Sequence, residues 1–316
     1  MVSQQAAGLA RRVKSGLRVT AEVATNARGQ RASILRNRLF PFLPRVTPSV
    51  GVERDGLWFF VATADQQVGR DIYAHGPSDQ RVMAKAVEYL GTSSTPNPLL
   101  DRTFLDIGAN IGTSTITALK RFGAKNAICA EPEPGNRRLL RCNLVMNDLD
   151  DRVTVLPYAL SDQEGTATLE LSDTNWGDHR VRMGSAEEGV FHEQQRQTIE
   201  VRVVRFDALL AEVEVDLSTV GIVWIDTQGH EGHVLSGASR LLSSDVPVVT
   251  EYWPYGLERA NGLELFHEQV ARNYREVIDL RASLRTDRRV SYSADSMDKV
   301  GSAYAGVAHT DLLLVT

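Results

Sequence analysis

From residue 100 onward, short apolar runs alternate with amphipathic stretches of helical period. Few arrangements other than a parallel sheet flanked by helices can bury such a pattern. Strands are expected at residues 103–107, 127–130, 153–157, 222–225 and 246–250, with 276–280 and 311–315 supplying two more. Helices are expected at 113–122, 135–147, 233–242 and 263–273. The result is an α/β fold with a Rossmann-like sheet of seven strands, mostly parallel, and helices on both faces. Residues 163–206 interrupt the rhythm. Two stretches of alternating polarity, 166–171 and 198–203, surround a polar loop and read as a hairpin inserted between the third and fourth core strands.

The expected division is a basic arm over 1–45, a small α+β lobe over 46–98, and the main domain over 99–316. In the lobe, 57–62 and 70–74 read as strands and 79–90 as a helix with Val82, Ala86, Val87 and Leu90 on one face. The arm holds nine basic residues against the single acid Glu22, and Leu9, Val13, Leu17 and Val19 give it weak helical periodicity. It reads either as an arm folded over the core or exchanged between subunits of a homo-oligomer, which is preferred here, or as an attachment to an anionic membrane surface or a partner. Beyond residue 45 there are 26 basic and 39 acidic residues, net −13. Such a body repels phosphate backbones, so no nucleic-acid partner is expected. Cys129 and Cys142 lack zinc-site spacing, no apolar run approaches the roughly 20 residues of a membrane span, and the N-terminus lacks a secretory h-region. A cytoplasmic location is expected.

Four segments carry chemistry. Asp106-x-Gly108-x-Asn110-x-Gly112 lies between a strand and a helix opening at Thr113. Its glycines permit a tight turn and close backbone approach, and the helix start favours a carboxylate. The spacing is not the Gly-x-Gly-x-x-Gly that serves a pyrophosphate. Glu131, followed by Pro132, closes the next strand 25 residues after Asp106, where an acid can accept two ribose hydroxyls. Tyr158-Ala159-Leu160-Ser161-Asp162 follows the third strand and would face an adenine edge. The fourth segment, residues 224–238, places Asp226, Gln228, His230 and Glu231 after the fourth strand.

These four segments in this order resemble the FkbM family of methyltransferases: an Asp-x-Gly-Ala-Asn-x-Gly loop, Glu-Pro-x-Pro, Ala-Leu-Ser-Asp, and Asp-x-Gln-Gly-x-Glu before Val-Leu-x-Gly-Ala. The resemblance spans roughly residues 70–255. It implies a class I methyltransferase fold and S-adenosylmethionine (SAM) as methyl donor, with transfer to a hydroxyl of a small-molecule or glycan acceptor. On this reading Asp106, Gly108, Asn110, Gly112, Thr113, Glu131, Pro132, Tyr158, Ala159, Ser161 and Asp226 hold the cofactor. A general base assists a hydroxyl acceptor, and histidine has the suitable ordinary pKa. His230 is the first candidate and His179 the second, with Asp226 or Asp178 to orient it. Asp178, Gln228, Glu251, Tyr252 and Trp253 are expected around the acceptor. His230-Glu231-x-His233 lacks the His-Glu-x-x-His spacing, and no metal is expected.

Overall fold

The computed structural model describes residues 31–183 and 189–316. Residues 31–39 are helical (α1), and a 3₁₀ turn, Phe40–Arg45, follows. The remainder of the expected arm, with Leu9, Val13, Leu17 and Val19, lies outside the described residues. A hairpin of β1 (Ser49–Arg54) and β2 (Leu57–Ala62) leads into α2 (Val68–Ala74) and α3 (Asp79–Leu90). Next come β3 (Thr103–Ile107), α4 (Thr113–Arg121), β4 (Asn126–Ala130), α5 (Pro134–Met146) and β5 (Val153–Leu156). The insertion comprises β6 (Tyr158–Ser161), β7 (Gly165–Leu171), β8 (Arg180–Val181) and β9 (Gln197–Arg205). The chain continues through α6 (Phe206–Glu212), β10 (Val220–Ile225), α7 (Glu231–Ser236), α8 (Ser239–Leu242) and β11 (Val248–Tyr252). It ends with α9 (Pro254–Arg259), α10 (Leu263–Asn273), β12 (Glu276–Asp279), α11 (Leu280–Thr286), β13 (Ser291–Ser293), α12 (Met297–Ala303) and β14 (Thr310–Val315).

The main sheet runs β13-β12-β14-β11-β10-β3-β4-β5. It is parallel from β11 to β5, and β14 lies antiparallel between β11 and β12. Its middle strands are apolar because both faces are covered: every residue of β10 is buried. β3 has β4 on one side and β10 on the other, so successive connections leave it in opposite directions. That reversal opens a crevice at the carboxyl ends of β3 and β10, where such sheets bind ligands. The seven expected strands are present, and β13 adds an eighth at the edge.

Three expectations change. Residues 70–74 are helical rather than extended, because the Asp65 carboxylate accepts N–H bonds from Gln67 (3.1 Å) and Gly69 (2.8 Å) and turns the chain into α2. Residues 158–161 form strand β6, which pairs in parallel with β9. The insertion is therefore a four-stranded sheet, ordered β6-β9-β7-β8, rather than a hairpin. The helix expected at 233–242 is broken into α7 and α8 at Gly237, where a Cβ would fall 2.1 Å from the Ser161 carbonyl oxygen.

The N-terminal hairpin packs directly on the main domain. Asn143 of α5 and Asn147 at its C-cap bond to the backbone of Phe60 and Trp58, satisfying the edge of β2 with side-chain amides. Phe40, Phe59 and Met83 share one apolar cluster with Phe104, Ile116 and Leu144. This packing brings α2 and α3 over the crevice.

Candidate active site

The crevice holds a cavity of about 400 Å³ walled by all three units: the ends of β3, β4 and β10, strand β6 of the insertion with its loop at 175–179, and α2–α3 above. Its size is that of a small-ligand site.

The β3–α4 loop shows why its residue types matter. Gly108, Asn110 and Gly112 all have positive φ, at 86°, 50° and 89°. A Cβ on Gly108 would lie 1.8 Å from the Asp226 carbonyl oxygen, so only glycine lets the ends of β3 and β10 touch. Glu131 holds this loop. One carboxylate oxygen accepts the Asn110 N–H and the other the Glu133 N–H, each at 2.8 Å. Burial pushes its pKa up to about 7. Gly108, Asn110, Thr113, Glu131 and Pro132 line the cavity, as do Tyr158 and Ala159. Asp106, Gly112 and Ser161 do not. Asp106 is buried behind the loop, bonded by the Thr115 hydroxyl and with Oδ1 unpartnered, and burial raises its pKa to about 7. Ser161 bonds the His230 ring instead.

At the start of α4, the expected anion position already has a carboxylate beside it. Asp79 of α3 accepts the Thr113 and Ser114 hydroxyls at 2.6 and 3.2 Å. Nothing near Asp79 in the sequence signals this beyond its place at a helix start.

The β10 end is the most charged wall. Gln228 sits at φ 55°, and its amide donates to Asp226 Oδ1 (2.6 Å) and Glu251 Oε2 (3.0 Å). Backbone held in this region clusters at functional sites. Asp226, Glu231 and Glu251 bring carboxylate oxygens within 4.8 Å of one another. Burial raises all three pKa values, Asp226 to about 8, and repulsion among the carboxylates adds to the shifts of Asp226 and Glu251. Oxygen-rich trios can hold hard cations. Glu231, however, directs its oxygens to the Thr227 N–H and hydroxyl (2.7 and 3.0 Å) and the Gly229 N–H (2.9 Å), and so clamps its own loop.

Both expected histidine bases line the cavity, each held by a hydrogen bond at one ring nitrogen, and His230 Nδ1 is buried without a partner. His179 Nδ1 accepts the Ser172 N–H at 3.0 Å, which leaves Nε2 as the protonated nitrogen of the neutral ring. His230 is buried, bonded through Nε2 to Ser161 Oγ at 3.0 Å and stacked on His233 at 4.5 Å, and burial lowers its pKa to about 3.

Of the residues expected around the acceptor, Gln228 and Glu251 line the cavity, while Asp178, Tyr252 and Trp253 do not. Asp178 is buried between Arg180 and Arg196. The Arg180 guanidinium in turn covers Trp253 at 4.4 Å, so both residues fasten the insertion to α9. Tyr252 is fully buried and bonds His267 at 2.9 Å. Arg281 and His309, missed in the sequence, complete the far wall from α11 and the approach to β14. Arg281 pairs with Asp311.

The chain matches the methyltransferase FkbM domain over residues 106–280. It belongs to that family. A curated relative, 2-O-methyltransferase NoeI of Sinorhizobium fredii (strain NBRC 101917 / NGR234), is 29% identical over 165 residues. That match covers 48% of this chain and 63% of the relative's length. Among solved structures, a methyltransferase FkbM from Methylobacillus flagellatus is 12% identical with a TM-score of 0.40, covering 79% of this chain and 66% of that one. A candidate SAM-dependent methyltransferase from Streptococcus mutans is 10% identical with a TM-score of 0.44, over 86% of this chain and 56% of that one.

Proposed function

We propose that this protein transfers the methyl group of SAM to a hydroxyl oxygen of a small molecule, with a sugar, glycan or other natural product as acceptor. The cavity at the carboxyl ends of β3, β4 and β10 carries the reading. Asp71, Asp79, Glu131, Asp226 and Glu251 line it against one cation, Arg281. The lining histidines stay neutral at pH 7, since burial lowers the pKa of His179, His230 and His309. Burial also disfavours charge on Glu131, Asp226 and Glu251, and a ligand bearing a sulfonium and an ammonium would restore that charge, whereas a pyrophosphate would oppose it. The similarity to a 2-O-methyltransferase supports an oxygen acceptor.

When bound, SAM supplies a methyl group on a sulfonium that is already a strong electrophile, so the protein mainly aligns the partners and removes a proton. Glu131 and the Gly108–Asn110 turn would hold the ribose, with Tyr158 and Ala159 beside the base. Asp226, Gln228 and Glu251 would face the methyl group. Their shared amide keeps two carboxylates together, and one of these can accept the hydroxyl proton during transfer, a role worth about 10²–10⁴-fold. This assignment replaces the two histidines.

Calorimetry with SAM and with NAD tests the donor: micromolar binding of SAM and none of NAD is expected, and the reverse would overturn the reading. Mass spectrometry of a panel of glycosides incubated with SAM tests the acceptor, through the gain of one methylene in mass. Methyl gain only on nitrogen acceptors or nucleic acid would refute hydroxyl transfer.

A further inference from the structure

The basic, apolar face formed by residues 31–46 takes no part in the cavity. Along α1, positions 31, 34, 35, 38 and 39 recur at i, i+3, i+4, i+7 and i+8, and all five are exposed: Arg31, Ile34, Leu35, Arg38 and Leu39. The following turn adds Phe42, Arg45 and Val46, also exposed, with the Arg45 guanidinium 5.7 Å above the Phe42 ring. Exposure is high for such apolar side chains: Ile34 54%, Leu35 58%, Leu39 47%, Phe42 58% and Val46 81%. Scattered apolar residues on a surface need no explanation, but five within 13 positions on one face do.

The opposite face is the one that anchors the segment. Phe40 is fully buried and packs on Tyr73 at 5.3 Å, while Asn37 accepts a hydrogen bond from Arg70. The protein therefore grips this segment by a few contacts and turns its apolar residues and arginines outward. We propose that this face docks on an anionic lipid surface, with Ile34, Leu35, Leu39, Phe42 and Val46 entering the headgroup boundary and Arg31, Arg38 and Arg45 meeting lipid phosphates.

Charge selects this occupant. There is no acidic residue from Val23 to Val52. Pairing the face with its counterpart on a second copy would set these arginines against their equivalents, because a two-fold interface is self-complementary. The chain's own residues 1–30 carry five basic residues and one acid, so they share the same sign. An anionic bilayer offers both apolar depth and negative charge, and arginines among aliphatic and aromatic residues are the composition of interfacial helices. No helix among the described residues is long and apolar enough to cross a membrane, so the contact is made at the surface.

Flotation of the full chain with large unilamellar vesicles tests the proposal, comparing phosphatidylcholine alone with phosphatidylcholine containing phosphatidylglycerol. Binding to the anionic vesicles only, weakened by salt, is expected. Arg31→Gln, Arg38→Gln and Arg45→Gln together should weaken it roughly a hundredfold, at about fivefold per arginine. Ile34→Ser with Leu35→Ser and Phe42→Ser should remove the salt-resistant part. All six side chains are exposed, and circular-dichroism melts check that the variants stay folded. Equal partitioning of parent and arginine variant, or no flotation with either vesicle, would overturn the proposal. So would a dimer in sedimentation velocity that the serine substitutions dissociate, or an acidic polypeptide that binds the face more tightly than the vesicles do.

Discussion

Replacing Glu131 by glutamine keeps its shape and removes an acceptor. In the parent each carboxylate oxygen takes one backbone N–H, from Asn110 and from Glu133, both at 2.8 Å. The amide of Glu131→Gln can accept only one of them and must point an N–H₂ at the other donor. A lost charge-assisted hydrogen bond with a buried donor left unpaired costs about 1.5–3 kcal/mol. The bond at risk holds Asn110 in its left-handed conformation within the loop proposed to hold the cofactor. SAM affinity should therefore fall by roughly ten- to a hundredfold. The pH dependence is sharper still. Burial raises the pKa of Glu131 to about 7, and the protonated acid, like the amide, has one good acceptor and one donor. SAM affinity of the parent should rise as pH passes upward through 7, and the gap between parent and Glu131→Gln should close as pH falls to 6. Isothermal titration calorimetry from pH 6 to 8.5, with ligand-free melts alongside, measures both effects. A variant that binds SAM within twofold of the parent at pH 8, or a gap independent of pH, would refute the argument.

Gly108→Ala should abolish SAM binding and lower the melting temperature by several degrees in a thermal shift, because its Cβ would overlap the Asp226 carbonyl at a φ of 86°. An unchanged melt would show that β10 yields freely. Glu251→Gln should lower kcat far more than His230→Ala in the glycoside assay while both variants still bind SAM; the opposite ranking would return the base to histidine. For Asp106, Glu131 and Asp226 the folded-state pKa lies above the unfolded value, so the native state binds extra protons between about pH 4 and 8. Their contribution is fully favourable below the unfolded values and is lost as pH rises through 7 to 8. The urea midpoint of the ligand-free protein should accordingly fall from pH 7 to 9, and a flat or rising midpoint would contradict the buried-carboxylate picture.

The fold was legible where physics acts locally. Doubly buried strands must be continuously apolar, and a turn needing φ near +86° and +89° must place glycine at 108 and 112. Local rules also misled. Arg70–Ala74 has the alternation of a strand, yet Asp65, five residues earlier, accepts the Gln67 and Gly69 N–H groups and turns the chain into a helix there. Asp178 and Trp253 have the chemistry of a sugar site, but Arg180 and Arg196 draw both into a buried stack. Composition shows which groups can bind an acceptor; it does not show which already have a partner. Asp79, Arg281 and His309 reach the cavity only because α3, α11 and β14 meet there, a consequence of sheet order that no local pattern carries.

The proposed exchange of roles between histidine and carboxylate has a single physical cause. Histidine was the expected base because its ordinary pKa lies near 7, whereas a carboxylate titrates near 4. Burial disfavours whichever form is charged, so it moves the two in opposite directions. In this cavity it takes His230 down to about 3 and Asp226 up to about 8. An imidazole that weak has little driving force to take a proton from a hydroxyl, while a carboxylate with a pKa near neutrality is matched to that task. The same buried wall thus disfavours the histidines as bases and raises the carboxyls of Asp226 and Glu251. Opening the cavity to water would reverse both shifts together. A mutation that hydrates the wall without touching these residues should therefore lower the pH at which the carboxylate pair loses its proton.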